Sequence, residues 1–540
     1  MRNWMTLVLV LVAGGGLSPV GADSWVDPLR ELIREEQLEW GIGGLVVGLL
    51  DDQELLVAEG FGDAERNSVF RVGSISKLLN AVAVMQLVES GALDLDAALP
   101  RDWLPLNPFP DHPPVTLRQI LSHRSGLQRE SAVGGYLDPS EPGLSATVAS
   151  LRSGVLATRP GEKTRYSNIA PSLAGYQVAT VSGLSFPDYQ SANVLGKLGM
   201  TNSFWVKDHV PPGRLIASYM RVADGWGAWR RRRAPEFDLG TMPAGNLFST
   251  VDDLSQFSRA LFRGGRRLFE DSGTLESMWQ PQFTDSPRGF GLGFVVGRHR
   301  DHRMVSHRGA VYGHSTALAL LPDARLGAIV LANEDIVNGR VRRIVQRALD
   351  LLLSERRGVA IPQPTRLEFP DDMARFVGDY ESQSYWARLR VEGDRVIGDL
   401  SGQPTRFRAV GPLRWIAENR ITTGGIVQFK EDGDGIIRGF SMGGQHYERV
   451  PSSPPPLPEA WKGCLGSYGP PLIPLIVSER HGHLYVMTEN MVDYRLRPVN
   501  RHVWSLPPGM YVNEQVVFLT GSGGQVQQIN FANMVFDRWE

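Results

Sequence analysis

Cysteine is nearly absent: Cys464 is the single one in 540 residues. A lone thiol excludes an internal disulfide and any metal site built on cysteines, so apolar cores must hold the fold together. Neither charge is in excess, with 56 basic side chains against 58 acidic ones and a net charge of −2. A near-neutral chain has no global field to draw it to nucleic acid, and no such partner is expected. The one concentrated basic run, Arg230 to Arg233, sits beside Gly225, Trp226, Gly227 and Trp229. It reads as a solvated hairpin tip, with a polyanion site as the alternative. Membrane-length apolar runs are missing too. The N-terminal run Leu7 to Ala13 falls well short of the roughly 20 residues needed to cross a bilayer. With Arg2 ahead of it and Val20, Gly21 and Ala22 behind, residues 1–22 read as a signal peptide cleaved after Ala22. An uncleaved anchor is the alternative. A cleaved signal implies a periplasmic or secreted protein with no integral membrane segment.

What is present is organised in pieces. The length suits two to four domains. Two proline-rich joints, VAIPQPTRLEFP at 359–370 and PSSPPPLP at 451–458, divide the chain. They leave a unit at 23–360 and two shorter segments at 366–451 and 459–540. The short segments are copies of one another. FVGDY at 376–380 recurs as CLGSY at 464–468, and residues 427–450 align without a gap on 516–539. Gly435 then matches Gly524, Tyr447 matches Phe536, and Arg449 matches Arg538. Alternating apolar residues broken by turn signals make each copy a small antiparallel barrel or sandwich. The large unit opens with a strand pair, GGLVVGLLDDQELLVAEGFG, turning at Asp51 and Asp52, and ends with strand patterns around GHSTALALL and LGAIVLAN. Strands at both ends with helices between predict an α+β unit whose termini build one antiparallel sheet.

Three stretches carry chemistry. In VGSISKLLNAVAVMQLVESG, Ser74 precedes Lys77 by three residues at the start of a helix, where Leu78, Val82, Met85 and Val88 recur on one side. At that spacing the two side chains share a face, their Cβ atoms about 5–6 Å apart. A lysine dried by burial can act as a base, and the free N–H groups of a helix start favour developing negative charge. The bland reading is a capping hydroxyl beside a solvated ammonium. In RYSNIAPSLAGY, Tyr166 and Asn168 precede a second helix. A phenol near an ammonium can have its pKa lowered and relay a proton, and an asparagine amide can accept from a lysine and donate to a substrate. The bland reading makes Asn168 an N-cap with Pro171 in the first turn. In MVSHRGAVYGHS, strand alternation points His307 and Arg308 to opposite faces, and Gly309 would let a substrate backbone lie against the strand edge.

Together, Ser-x-x-Lys, Tyr-x-Asn and His-x-Gly in this order resemble the serine β-lactamase and penicillin-binding-protein superfamily, in its class C-like branch. The resemblance spans roughly residues 35–350. It implies a β-lactamase/transpeptidase-like domain followed by two small β-barrel, lipocalin-like domains, and no cofactor. It implies Ser74 as the nucleophile of an acyl-enzyme, with Lys77 and Tyr166 sharing the base and relay work. Asn168 would position the substrate, and the backbone N–H groups of Ser74 and Ala310 would form an oxyanion hole beside Gly309. His307 replaces a lysine, which moves the expectation away from a dedicated β-lactamase. A catalytic domain with two β domains is similar to D-aminopeptidases of this superfamily. The expected function is therefore an exported peptidase, D-aminopeptidase or D-alanyl-D-alanine carboxypeptidase-like, acting on small D-amino-acid-containing peptides. A broad esterase or amidase, a β-lactamase, and a penicillin-binding protein without turnover are the alternatives.

Other signals receive bland readings. GFSMG at 439–443 matches Gly-x-Ser-x-Gly around Ser441, but that motif needs a helix after its turn and HYERV follows instead. His299, His302, His307 and His314 crowd together without an HExxH pattern, and no metal is expected. GRHRDHR is expected as a polar hairpin tip facing solvent. His123 and Ser125 in LSHRSGL read as a structural corner.

Overall fold

Strands from the two ends of the large unit meet in one sheet. They are β1 (Gly44–Asp51), β2 (Glu54–Gly62), β3 (Gly289–Phe290), β4 (Val295–His299), β5 (His302–Val311), β6 (His314–Leu321) and β7 (Leu326–Ala332). Their order is β2-β1-β7-β6-β5-β4-β3, antiparallel throughout. This computed structural model describes residues 24–109, 111, 113–223, 229–361 and 369–539. The expected signal peptide, residues 224–228 and most of the first proline-rich joint lie outside them. The Arg230 to Arg233 run, expected as a hairpin tip, lies instead on the strand Trp229–Arg233, paired antiparallel with Tyr219–Ala223. The β1–β2 turn falls one residue later than expected, because Asp51 pairs with Glu54 and Asp52 takes the left-handed conformation at φ 49°.

Both faces of the sheet are covered, which is why β6 and β7 are buried along their whole length and read as continuous apolar runs. Helices α1 (Asp27–Trp40) and α5 (Asn338–Arg357) cover one face, with Leu45, Val47, Ala328 and Val330 against Ile33, Val341 and Ile344. Helices α2 (Ser76–Glu89) and α4 (Val251–Phe262) cover the other, with Val46, Ile329 and Leu331 against Leu254 and Phe257. The period-2 alternation of the strands sorts these two sets. One expectation is corrected: α2 has no single buried side, since every residue from Ser76 to Met85 is buried. It runs through the middle of the unit and packs on α3 (Ile169–Ser182), so whatever its first turn carries is held rigidly.

The two copies differ in closure. Eight strands between Gly378 and Arg449 form a closed barrel. The second copy is a nine-stranded sheet whose end strands, Asp493–Arg495 and Arg497–Pro498, are separated only by Leu496, so the sheet returns on itself across one residue. Their equivalence is visible in detail. A register shift falls at Lys430/Glu431 in one copy and at the matching Leu519/Thr520 in the other. Tyr380 donates its hydroxyl to the Phe376 carbonyl at 2.8 Å, and Tyr468 does the same to Cys464 at 2.8 Å. Arg449 donates to the carbonyls of Arg375, Val377 and Ile437, while Arg538 donates to those of Gly463, Leu465 and Val526. The core of the second copy does not end at its own boundary. Tyr468, Trp504 and Phe531 share one apolar cluster with Leu137, Phe237, Leu239, Val311 and Tyr312 of the large unit.

Candidate active site

A short 3₁₀ turn, Gly73–Ile75, delivers Ser74 just ahead of α2. Gly73 adopts φ +54°, and a Cβ there would lie 2.8 Å from the Ala310 nitrogen, so this turn can press against β5 only as glycine. Gly309 serves the same approach. A Cβ on it would lie 2.0 Å from the Val72 carbonyl oxygen and 2.2 Å from Thr316 Oγ1. The expected reason for Gly309, room for a substrate backbone, is thus replaced: the chain's own backbone takes that space.

Lys77, in the first turn of α2, is buried. Its Nζ lies 3.0 Å from Ser74 Oγ, and donates to Asn168 Oδ1 at 2.7 Å and to the Ala244 carbonyl at 2.6 Å. Burial pushes its pKa well below the ordinary lysine value; Arg129 adds to this and Glu130 opposes it. A neutral amine has two N–H groups and one lone pair. The two fixed acceptors take the N–H groups, and the lone pair is left for the Ser74 hydroxyl. The geometry therefore suits removal of a proton from Ser74.

Asn168 does not cap α3; its side chain turns to Lys77 instead. Its other end donates one N–H to Glu130 Oε1 at 2.5 Å, so the amide expected to meet substrate also bridges Lys77 and Glu130 at the cavity wall. Tyr166 hydrogen-bonds Ser74, but its pKa moves opposite to expectation. Burial pushes it up to about 12, and the Ser74 bond and the Arg129 charge only moderate that. The phenol stays protonated at neutral pH, suited to passing a proton rather than acting as a phenolate.

His307 is buried with its ring centroid 6.3 Å from that of Tyr166, while Arg308 on the opposite face of β5 is exposed, as strand alternation requires. Burial, with help from Lys77, pushes the imidazole down to about 3. His307 Nδ1 lies 2.8 Å from the Arg308 carbonyl, which assigns the proton to Nδ1. Nε2 is left as a buried acceptor without a partner among the described residues. The neighbouring histidines go elsewhere. His314 packs edge-on to Phe70 at 5.9 Å, and His299 Nε2 lies 2.8 Å from Asp350 on α5. His299 is thus tucked in and not solvent-facing: an acidic partner on a distant helix, invisible in local sequence, holds it.

Several residues of the site escaped sequence reasoning. Glu130 lines the cavity together with Ser74, Tyr136, Asn168, Leu239 and Ala310. His123, expected as a corner, stacks on Tyr166 with centroids 4.3 Å apart, and its Nδ1 accepts from the Ser167 amide at 3.2 Å. Arg129 stands over both the Tyr166 and the Tyr511 rings, 5.6 Å from each centroid. Its backbone amide donates to Glu514 at 3.1 Å, and its guanidinium lies 3.7 Å from Glu489. Glu489, Tyr511 and Glu514 belong to the second β copy, and Arg165 forms an ion pair with Glu514. Ser441 lies far along the chain on the first barrel, on strand Ile437–Met442, hydrogen-bonded at 2.8 Å to His446 on the next strand, with no helix after it.

Comparison with known proteins identifies the fold. The sequence profile of the family described as "Beta-lactamase" matches residues 29–352. The unguisins hydrolase ungD' of Aspergillus campestris is 23% identical over 344 residues, 57% of this chain and 62% of that protein. The chain thus spans less than two thirds of that relative's length. Among solved structures, the octameric penicillin-binding protein homologue from Pyrococcus abyssi superposes with a TM-score of 0.58 at 21% identity, covering 87% of this chain and 99% of that one. D-amino acid amidase from Ochrobactrum anthropi SV3 superposes with a TM-score of 0.52 at 23% identity, covering 62% of this chain and 100% of its own. At such identities the likeness is one of fold.

Proposed function

The chain belongs to the beta-lactamase family, and on that premise we propose that it is a serine hydrolase acting through a Ser74 acyl-enzyme on amides of small amino-acid or peptide substrates bearing a free amine. The observation that carries the reading is the buried Lys77 amine, held at 2.7 Å from Asn168 Oδ1 and 2.6 Å from the Ala244 carbonyl with its Nζ 3.0 Å from Ser74 Oγ, where the neutral form would turn its lone pair to the hydroxyl. Lys77 takes the Ser74 proton as the hydroxyl attacks the substrate carbonyl, which becomes a tetrahedral oxyanion. The backbone N–H groups of Ser74 and Ala310 receive that oxyanion. Tyr166, still protonated, passes a proton to the leaving amine and regains the one that Lys77 took from Ser74. Water then repeats the attack and releases the acid.

Two features support an amine-bearing substrate over one bearing a carboxylate. Glu130 puts a buried carboxylate on the wall of the cavity, where a substrate ammonium would find a charged acceptor. His307, held neutral, supplies no cation for a substrate carboxylate of the kind a β-lactam or a C-terminal D-alanine carries. An aminopeptidase or amidase is therefore favoured over a carboxypeptidase or β-lactamase. Preference for the D configuration draws on the fold shared with D-amino acid amidase and on the two-copy β architecture. Export through residues 1–22 belongs to the same reading and rests on Arg2 and the Leu7 to Ala13 run. Hydrolysis of paired D- and L-aminoacyl p-nitroanilides, each with a free and with an acetylated amine, tests it. Turnover confined to acetylated or anionic substrates would overturn it.

A further inference from the structure

A second cleft lies where three parts of the chain meet. It has a volume of about 290 Å³. The C-terminal end of α1 supplies Trp40, the side hairpin Tyr219–Ala223/Trp229–Arg233 supplies Arg221 and Trp229, and the first barrel supplies Arg390, Arg406 and Arg420. Met491 of the second β copy closes it. Three of these residues line it with a buried donor nitrogen lacking an acceptor among the described residues: Trp40 Nε1, Arg221 Nε and Arg420 Nε. Trp40 and Arg420 are only 8% and 4% exposed. Each buried N–H left without a partner costs about 1–3 kcal/mol, and three around one cleft ask for a common acceptor.

Charge points the same way. Four guanidiniums and two carboxylates line the walls; Glu39 is paired with Arg406, and Arg390 reaches Asp399 beside the cleft at 3.2 Å. Behind the wall, the fully buried Glu334 is shared by Arg221, Arg231 and Arg420 at 3.7, 2.8 and 3.1 Å. Its neighbour Asp335 is pushed up to about 8 by burial and by Glu334, so it adds little negative charge at neutral pH. The Trp40 ring lies against Arg340 and Arg406, whose guanidinium carbons are 4.9 and 5.6 Å from its centroid, and its buried indole N–H has no acceptor among the described residues. Half-buried Trp229 and Ile397 offer apolar surface beside these donors.

We propose that this interdomain cleft is a binding site for a small oxyanion-bearing molecule, a carboxylate or phosphate monoester on a ring, held by the Arg221, Arg390 and Arg420 side chains and the Trp40 indole N–H. Guanidinium forks suit both oxyanions, and the ring would lie on Trp229. An occupant would touch all three parts of the chain and raise the thermal midpoint of the whole.

The full-length protein titrated with glucuronate and, separately, glucose 6-phosphate provides the test, by calorimetry and thermal melting. Saturable binding of either probe with a rise in Tm is expected, the responding arm naming the oxyanion. Arg221→Gln and Arg390→Gln should each weaken it about tenfold, the loss of one charged hydrogen bond, with p-nitrophenyl acetate hydrolysis unchanged. Arg390 is half exposed, so its variant keeps the test valid if changes deeper in the cleft impair folding. No saturation by either probe up to about 10 mM, well above millimolar affinities, would overturn the proposal, as would binding that both variants retain.

Discussion

Glu514, in the last β segment, accepts a hydrogen bond from the backbone amide of Arg129 at 3.1 Å, one residue before the carboxylate that lines the Ser74 cavity. A continuous chain of polar contacts therefore runs from the nucleophile through Lys77, Asn168, Glu130 and Arg129 to Glu489 and Tyr511. The most C-terminal element holds part of the wall of the site.

Ser74→Ala should lower hydrolysis of p-nitrophenyl acetate by at least about 10³-fold, with the circular dichroism spectrum and Tm retained. Activity that survives the change would redirect attention to Ser441 and its partner His446.

Lys77 sets the acid limb of the rate profile. Its neutral form is the working base, so kcat/KM should rise with pH through the depressed Lys77 pKa. Glu130 raises that pKa and Arg129 lowers it. Glu130→Gln should move the acid limb to lower pH, and Arg129→Met should move it to higher pH. Shifts in the same direction for both would refute this assignment of the limb.

Glu130→Gln should also separate substrates. Loss of a charged hydrogen bond, about 1.5–3 kcal/mol, predicts a 10- to 100-fold lower kcat/KM for free-amine substrates. Acetylated counterparts should change little. Equal losses on both would mean that Glu130 acts only through Asn168.

Buried neutral imidazoles should limit acid stability. Burial holds His307 and His314 down to about 3 against an ordinary 6.5. Between those values the unfolded chain binds more protons, so their contribution is full above pH 6.5 and is lost as pH falls towards 3. Tm should decline on acidification from pH 7 to pH 4, and His314→Gln should flatten part of that decline.

Removing residues 453–540 should yield an insoluble chain. Leu239, Val311 and Tyr312 share a core with Tyr468 and Trp504, and truncation would strip an apolar face next to the site. A soluble, active truncation would show that the two parts fold separately.

Local patterns carried the sheet strands, the repeat and the Ser74–Lys77 pairing, because period 2, period 3.6 and a spacing of three are properties of short segments. What stayed hidden were contacts between distant segments. Glu130 and Arg129 looked like ordinary polar residues until Asn168 and Glu514 arrived from 38 and 385 residues away. The direction of the Tyr166 shift was misjudged for the same reason. Proximity to a lysine is readable from motifs, whereas the depth of burial that outweighs it is a property of the whole fold.

Arg449 and Arg538 clasp matching carbonyls in two copies of one element, both of which touch the catalytic unit, but among the described residues only the second shares an apolar cluster with it. The molecule thereby contains its own reference experiment. The same truncation to alanine at the two positions removes the same local bonds in the same chain under the same conditions. Whatever the second loses beyond the first measures what the shared apolar cluster adds to the polar contacts by which the first copy is held.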